Sequence, residues 1–514
     1  MELELKKNAC GFYDSLYDLT AEREETCDVI VPDACPDILR IAETYGRAMI
    51  RTKESRDEKL EVGGQVRATV LYVPEDGRGL RKLEVELPFS HFFETQGVKP
   101  SDKILASAHL KSVDARTINP RKILVRAAVD IHVQVFEARS VDFCCGAEND
   151  DGSVQMLMGE HSALMLQSVQ TKEFTITDEL ELPSVKPAAA ELLKYDVALK
   201  TGEVRVIGHK VIFKGDAEVR ALYKAAGEFP GEDLFTFEME LPFSQIVELD
   251  ELPEDAECRL VLLPTAVDFG LKDDTGSGAR AIAMTIGAEA QVTAYAMRRI
   301  ETVSDLYSTL YDAAINIKPN SFTALKEHTG RHQTVRETIE TGVTVRSVID
   351  MDVQFTPCSY RREGEALSID TTAIVKVVYY GEDNGIYSAT RSIPVSQQVE
   401  TAEGVSAQAS VRASGQVAGA SAMDGIEVRF GAEFDVELRR MEQVSTVNAV
   451  TLEEPESDAD PRPSVVLRAP EEGESLWTVA KHYRTTMAAI MEANALDDTE
   501  TPIAGRLLLI PGKR

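Results

Sequence analysis

The chain has 514 residues, 43% of them hydrophobic and 27% charged, which is globular material enough for about three or four domains of ordinary size. Its 86 acidic and 55 basic side chains leave a net charge of −31. That balance excludes the cationic face a nucleic-acid partner needs and disfavours adsorption to anionic membranes. Residues 465–514 carry 6 basic and 7 acidic side chains, so about −30 of the charge sits on residues 1–464. The first residues, Met1 to Asn8, mix acids with apolar side chains and do not read as a secretory signal. No apolar run of about 18 residues offers a transmembrane segment. Seven scattered cysteines (Cys10, Cys27, Cys35, Cys144, Cys145, Cys258, Cys358) fit reduced thiols of a cytoplasmic compartment, expected mostly as buried small hydrophobes.

Internal repetition organises the chain. Leu87-Pro88-Phe89-Ser90 recurs 154 residues later as Leu241-Pro242-Phe243-Ser244, and in weaker form as Ile393-Pro394-Val395-Ser396. Pro32, Pro36, Gly64 and Tyr72 recur at an offset of 151 as Pro183, Pro187, Gly215 and Tyr223. Gly287-Ala288-Glu289 matches Gly431-Ala432-Glu433, and Leu16-Tyr17-Asp18 matches Leu310-Tyr311-Asp312. These matches predict three repeats, over 1–150, 151–303 and 304–452.

Within each repeat the dominant period is two. Glu61–Tyr72, Arg126–Phe136, Gly215–Tyr223 and Ile369–Tyr380 read as half-buried strands. Turn-forming runs at Pro74–Gly77, Asp273–Gly278 and Gly381–Gly385 separate them. The expected fold class is mainly β, with antiparallel sheets packed as a sandwich or open barrel. Short helices are expected at Pro36–Tyr45 and Pro187–Tyr195, where Pro opens the first turn. The Leu-Pro-Phe-Ser element should end a strand, because Pro is excluded from central strands. Three such acidic repeats in series would offer an extended surface for multivalent contacts.

Residues 453–464 hold five acids, three prolines and no large apolar side chain, which predicts an extended linker that leaves the C-terminal segment free to search for a partner. After it, Val465–Arg468 reads as a strand. Ser475 can cap a helix that turns Leu476, Val479, Ala480 and Tyr483 inward, and Thr486 can cap a second with Ile490 and Ala493 inward. Ile503–Pro511 should return as a second strand, completing a small βααβ fold.

This tail resembles a LysM domain. The residues that carry the likeness are Gly473-Glu474-Ser475-Leu476-Trp477, Val479-Ala480, Tyr483, Asn494-Ala495-Leu496 and Gly505–Pro511. Glu474 and Ser475 stand where the family commonly has Asp and Thr. The resemblance implies a shallow groove for an N-acetylglucosamine-containing glycan, with Gly473, Glu474, Ser475 and Leu476 facing Asn494, Ala495, Leu496 and Ile503. A protein ligand on the same module is the other implied partner. Trp477, the only tryptophan, could either contact such a partner or pack inside.

The first repeat carries Val31-Pro32-Asp33-Ala34-Cys35-Pro36-Asp37-Ile38, similar to the signature of the SPOCS domain of endospore-forming bacteria, with Pro32, Asp33, Pro36 and Asp37 as its marks. The second repeat echoes it through Leu182-Pro183 and Pro187, and the third lacks the paired prolines. SPOCS copies followed by one LysM resemble a spore-coat morphogenetic family. That resemblance implies a mother-cell cytoplasmic protein at the forespore surface, binding the basement-layer ATPase of the spore coat and other coat proteins.

Catalytic chemistry is not evident. No nucleophile elbow, phosphate-cradling glycine loop or dinucleotide fingerprint occurs, so no enzyme activity and no cofactor are expected. His328 and His332 could meet on a helix, but Gly330 interrupts it and no third ligand follows, so no metal is expected. Cys27 and Cys35, and the vicinal Cys144-Cys145, lack zinc spacing. Ser277, between two glycines, reads as turn chemistry.

Overall fold

Alternating side chains build almost the entire chain into antiparallel strands. The computed structural model describes residues 2–56, 58–77, 79–148, 151–227, 229, 232–249, 252–253, 255–272, 278–421, 425–454, 464–499 and 503–512. A first unit comprises β1 (Leu5–Ile30), β2 (Ile38–Arg56), β3 (Lys59–Pro74), β4 (Arg81–Glu94), β5 (Lys103–Asn119) and β6 (Lys122–Ala147). A second repeats the order with β7 (Val154–Glu181), β8 (Ala189–Ile207), β9 (Lys210–Ala225), β10 (Leu234–Glu248), β11 (Glu257–Lys272) and β12 (Ala281–Ser308). A third comprises β13 (Asp312–Glu340), β14 (Val345–Phe355), β15 (Ser359–Glu363), β16 (Ala366–Gly381), β17 (Ile386–Glu400), β18 (Val405–Ser421) and β19 (Gly425–Glu453). The tail adds β20 (Val465–Arg468), α1 (Leu476–His482), α2 (Met487–Asn494) and β21 (Leu508–Pro511).

Each unit is a two-sheet sandwich. Its first, last and penultimate long strands pair on one side and its middle strands on the other, as in β1-β6-β5 over β2-β3-β4. The long strands of the second and third units join through β7 and β13 into one six-stranded sheet, β11-β12-β7-β13-β19-β18. Val66, Val70, Leu87, Val129 and Val133 of the first unit fill the space between, all at most 1% exposed. The sheets are open, with free edges. The third unit splits the strand that is continuous elsewhere, because Pro357 between β14 and β15 has no N–H for the ladder.

Two expectations fail here. The predicted helices at Pro36–Tyr45 and Pro187–Tyr195 are the starts of β2 and β8. The Leu-Pro-Phe-Ser element does not end a strand: Pro88, Pro242 and Pro394 sit within β4, β10 and β17, paired with Gln65, Asp216 and Thr372. These are edge strands, so a missing N–H faces away from the ladder. His328 lies on β13, not a helix, with its Nε2 2.5 Å from Asp435 Oδ1, and no metal-holding cluster occurs among the described residues. The turn at Asp273–Gly278, including Ser277, lies outside the described residues except for Gly278, and the linker core 455–463 lies outside them too. Of the seven free cysteines only Cys144 is fully buried.

The units do not string out in series but close on one another. β2, β8 and β14 each carry a bulge at the corresponding place, after Ile41, Leu192 and Val348. The inserted residues Ala42, Leu193 and Ile349 meet in one apolar cluster with Leu71, Leu222 and Val378, which pair beside them in register. Charges surround this three-way contact. Lys194 Nζ of the second unit lies 2.8 Å from Asp350 and 3.2 Å from Asp352 of the third, and 3.7 Å over the Tyr45 ring of the first. Lys376 of the third unit pairs with Glu43 of the first at 3.4 Å, and Arg47 of the first with Asp196 of the second. Burial alone would lower the Lys194 pKa, but the two aspartates outweigh it and hold the amine above its usual range.

The long strands meet in a second set of contacts. Phe12 and Phe143, Met165 and Ile300, and Phe322 and Val444 contribute to one cluster from all three units. Beside it, Glu437 is fully buried and accepts from Arg259 at 2.7 Å, from Tyr295 at 2.5 Å and from Arg439 at 3.0 Å. Desolvation pushes the Glu437 carboxyl up, and Arg439 and Arg259 more than reverse it.

Two of these charged contacts set measurable outcomes. Lys194→Met leaves buried Asp352 without its cation and Asp350 with only Arg220 at 3.9 Å, so urea unfolding should report a loss of about 3–5 kcal/mol. The bond to Asp435 raises the His328 pKa against opposing desolvation. Its contribution is therefore full below the unfolded value near 6.5 and lost as pH rises through the folded one. The stability difference between wild type and His328→Gln should thus be present at pH 6 and disappear on going to alkaline pH, as read by urea midpoints.

Candidate partner-binding site on the tail module

The residues that defined the repeats turn out to be contact pairs. Gly64 and Gly215 lie beneath Phe89 and Phe243: a Cβ there would come within 2.5 and 2.6 Å of the ring Cζ atoms. In the third unit Thr371 and Val395 occupy this register, which is why its motif is weaker. Tyr72 and Tyr223 donate to the carbonyls of Pro36 and Pro187. Asp33 and Asp37 bind Arg121, which also donates to the carbonyls of Val31 and Cys35. Arg280 grips Leu182, Pro183 and Lys186 in the second unit in the same way. Pro32 and Pro36 belong to this loop, and its polar groups are committed to holding its shape. Sequence reasoning missed Arg121 and Arg280, since they lie about ninety residues beyond the loops they hold.

In the tail, Ser475 Oγ accepts from Thr478 N and Thr486 Oγ1 from Ala489 N, both at 3.1 Å, so the two predicted caps start α1 and α2. Leu476, Val479, Ala480 and Ile490 are buried as the periodicity requires, whereas Ala493 is exposed and the last strand is only Leu508–Pro511. Gly473 adopts φ +90, which a side chain would resist, in the loop before α1. Glu474 closes that loop by accepting from Arg468 at 2.7 Å and from Glu471 N at 2.9 Å. Asn494 ties α2 to β21: its amide donates to the Ile490 and Leu509 carbonyls and its oxygen accepts from Leu509 N. Leu476, Leu496 and Ile503 share one apolar cluster, and Ala495 caps α2 in the left-handed conformation. The polar side chains of the expected groove are thus engaged internally.

Trp477 does not join the groove. It is 7% exposed, packed edge-on against Tyr307 at 4.8 Å, with Nε1 donating to Asp305 Oδ2 at 2.7 Å. Lys481 Nζ reaches both Asp305 oxygens, at 2.6 and 2.7 Å. Tyr307 donates to the Thr485 carbonyl and Arg484 pairs with Asp312. Burial would raise the Asp305 pKa, but the bonds from Lys481 and Trp477 hold it below the ordinary carboxylate value. The tail is therefore docked on the second and third units, contrary to the expectation of a freely searching head.

What remains open is the outer face of the two-stranded sheet. Leu467 pairs opposite Leu509 and Val465 opposite Pro511, while the alternate residues Val466, Leu508 and Ile510 face inward. Val465 is 50%, Leu467 61% and the adjacent Leu507 66% exposed.

Asn494→Ala leaves the Leu509 N–H and carbonyl without their partner, and should destabilise the tail by about 1–3 kcal/mol, read from Trp477 fluorescence during denaturation.

Residues 37–119 and 188–271 match the family described as SipL, SPOCS domain, and residues 471–511 match the LysM domain. No curated protein and no solved structure matches the chain. Both families are binding domains, and SPOCS places the chain among sporulation-related proteins. Two segments of the chain are thus similar to the SPOCS domain, and a C-terminal segment is similar to the LysM domain.

Proposed function

We propose that this chain is a non-enzymatic spore-coat assembly protein that acts from the mother-cell cytoplasm at the forespore surface. In this reading its units, 1–150, 151–303 and 304–452, form the body, joined through 453–464 to the LysM module at 465–514. The module docks the basement-layer ATPase of the coat, and the body meets other coat proteins. One observation carries the reading: Val465 and Leu467 on one face of β20, and Leu507 just before β21, are exposed apolar side chains on a module whose polar groove side chains are already hydrogen-bonded internally. Apolar surface of this kind favours a protein partner, which can desolvate it.

The LysM match supports a second reading, in which Gly473, Glu474, Ser475 and Leu476 face Asn494, Ala495, Leu496 and Ile503 across a groove for an N-acetylglucosamine oligomer. Backbone groups of the exposed loop at Gly473 would then do the binding.

Capture of the purified coat ATPase by immobilised full-length protein separates the two. A Val465→Lys/Leu467→Glu variant should lose at least tenfold in affinity, about 1.4 kcal/mol or more. Titration with chitopentaose should give no response at millimolar ligand. Undiminished ATPase capture by the variant, or saturable chitopentaose binding, would sink the protein-docking reading.

A further inference from the structure

The LysM module meets the body at three separated points along and just past α1. Trp477 and Lys481 share the Asp305 carboxylate, Tyr307 donates to the carbonyl of Thr485, and Arg484 pairs with Asp312. A single contact would leave the module free to swivel, whereas contacts at positions 477, 481 and 484–485 fix its orientation. We infer that Trp477 and Lys481 are positioning residues of a latch that holds the LysM module in one pose on the body, so that Trp477 itself does not touch a partner and the Val465–Leu467 face is presented in a set direction.

The chemistry of the corner fits this role. Asp305 commits its lone pairs to Lys481, Trp477 and its neighbour Leu306 N at 2.8 Å, leaving nothing for an outside ligand. Tyr307 lies in the module's own apolar cluster with Trp477, Val479 and Ile490, although it belongs to β12 of the body. The body thereby completes the module's core. Charge is complementary as well: the cations lie on the α1 side, and both carboxylates lie on the body that carries nearly all the acidic excess. The ion pair is half-exposed, with side chains 40% and 24% accessible, so salt weakens it. The covalent tether offsets that weakness by keeping the module at an effective concentration on the order of millimolar.

Only the partner in this inference depends on the function proposed above; the latch is tested without one. Trp477 is the single tryptophan, so its emission and acrylamide quenching in the full-length protein read the latch alone. Asp305→Lys should red-shift the emission and raise quenching, while the unfolding midpoint of the body followed by circular dichroism stays put. Adding Lys481→Asp to make the reversed pair should restore most of the protection. Wild-type emission and quenching in Asp305→Lys would overturn the latch. In the same variants, capture of the coat ATPase should fall with Asp305→Lys and recover in the reversed pair. Full capture by a variant whose Trp477 is exposed would overturn the positioning role. If the latch readouts hold and Val465→Lys/Leu467→Glu still binds the ATPase, the latch stands and the docking face is wrong.

Discussion

Burial of the Lys194 ammonium is the constraint on which the arrangement of the units depends. A cation nine-tenths removed from water is tolerable only where carboxylates and an aromatic face replace its hydration. Those groups come from elsewhere: Asp350 and Asp352 from the third unit and Tyr45 from the first. Satisfying one side chain therefore closes all three sheets on one another. The apolar contact of Ala42, Leu193 and Ile349 is permissive of many orders, because its members are interchangeable in kind. The charges are not. Glu43, Lys194 and Asp350 occupy the same register position in the three units, and the one cation among them sets the second unit apart, pairing with Asp350 while Glu43 pairs with Lys376.

The same logic recurs at the other end of the body. Asp305 is half-buried and answered by Lys481 and Trp477, and that pairing converts a tethered module into a docked one. Placing Trp477 and Lys481 of α1 against the body leaves Val465 and Leu467 of the module's sheet exposed. What is hidden and what is offered are thus two consequences of one choice of docking face.

Much of this was legible in the sequence where the signal was local. The period of two marked Glu61–Tyr72 and Gly215–Tyr223, and Ser475 and Thr486 announced the two helices of the tail. The misread helix at Pro36–Tyr45 has a physical origin. Ile38, Ile41, Ala42 and Tyr45 lie at i, i+3, i+4 and i+7, a helical pattern, but the spacing is produced by strand bulges after Ile38 and Ile41. Ala189, Leu192 and Leu193 repeat the disguise. The repeated prolines, glycines and tyrosines were visible as matches, but their meaning as Gly–Phe and Tyr–Pro contacts required the fold. Whether Trp477 packs or projects could not be read locally, because its acceptor Asp305 is 172 residues away. The same distance concealed the closure of the three units, which the repeats alone presented as modules in series.

The central claim, a closed three-unit body with the LysM module docked on it, is tested most directly by small-angle X-ray scattering of the full chain at physiological salt. The account predicts a single-maximum pair-distance distribution and a radius of gyration near that of one compact particle of this length, about 24 Å. A much larger radius with a several-peaked distribution, as from beads joined by linkers, would contradict it.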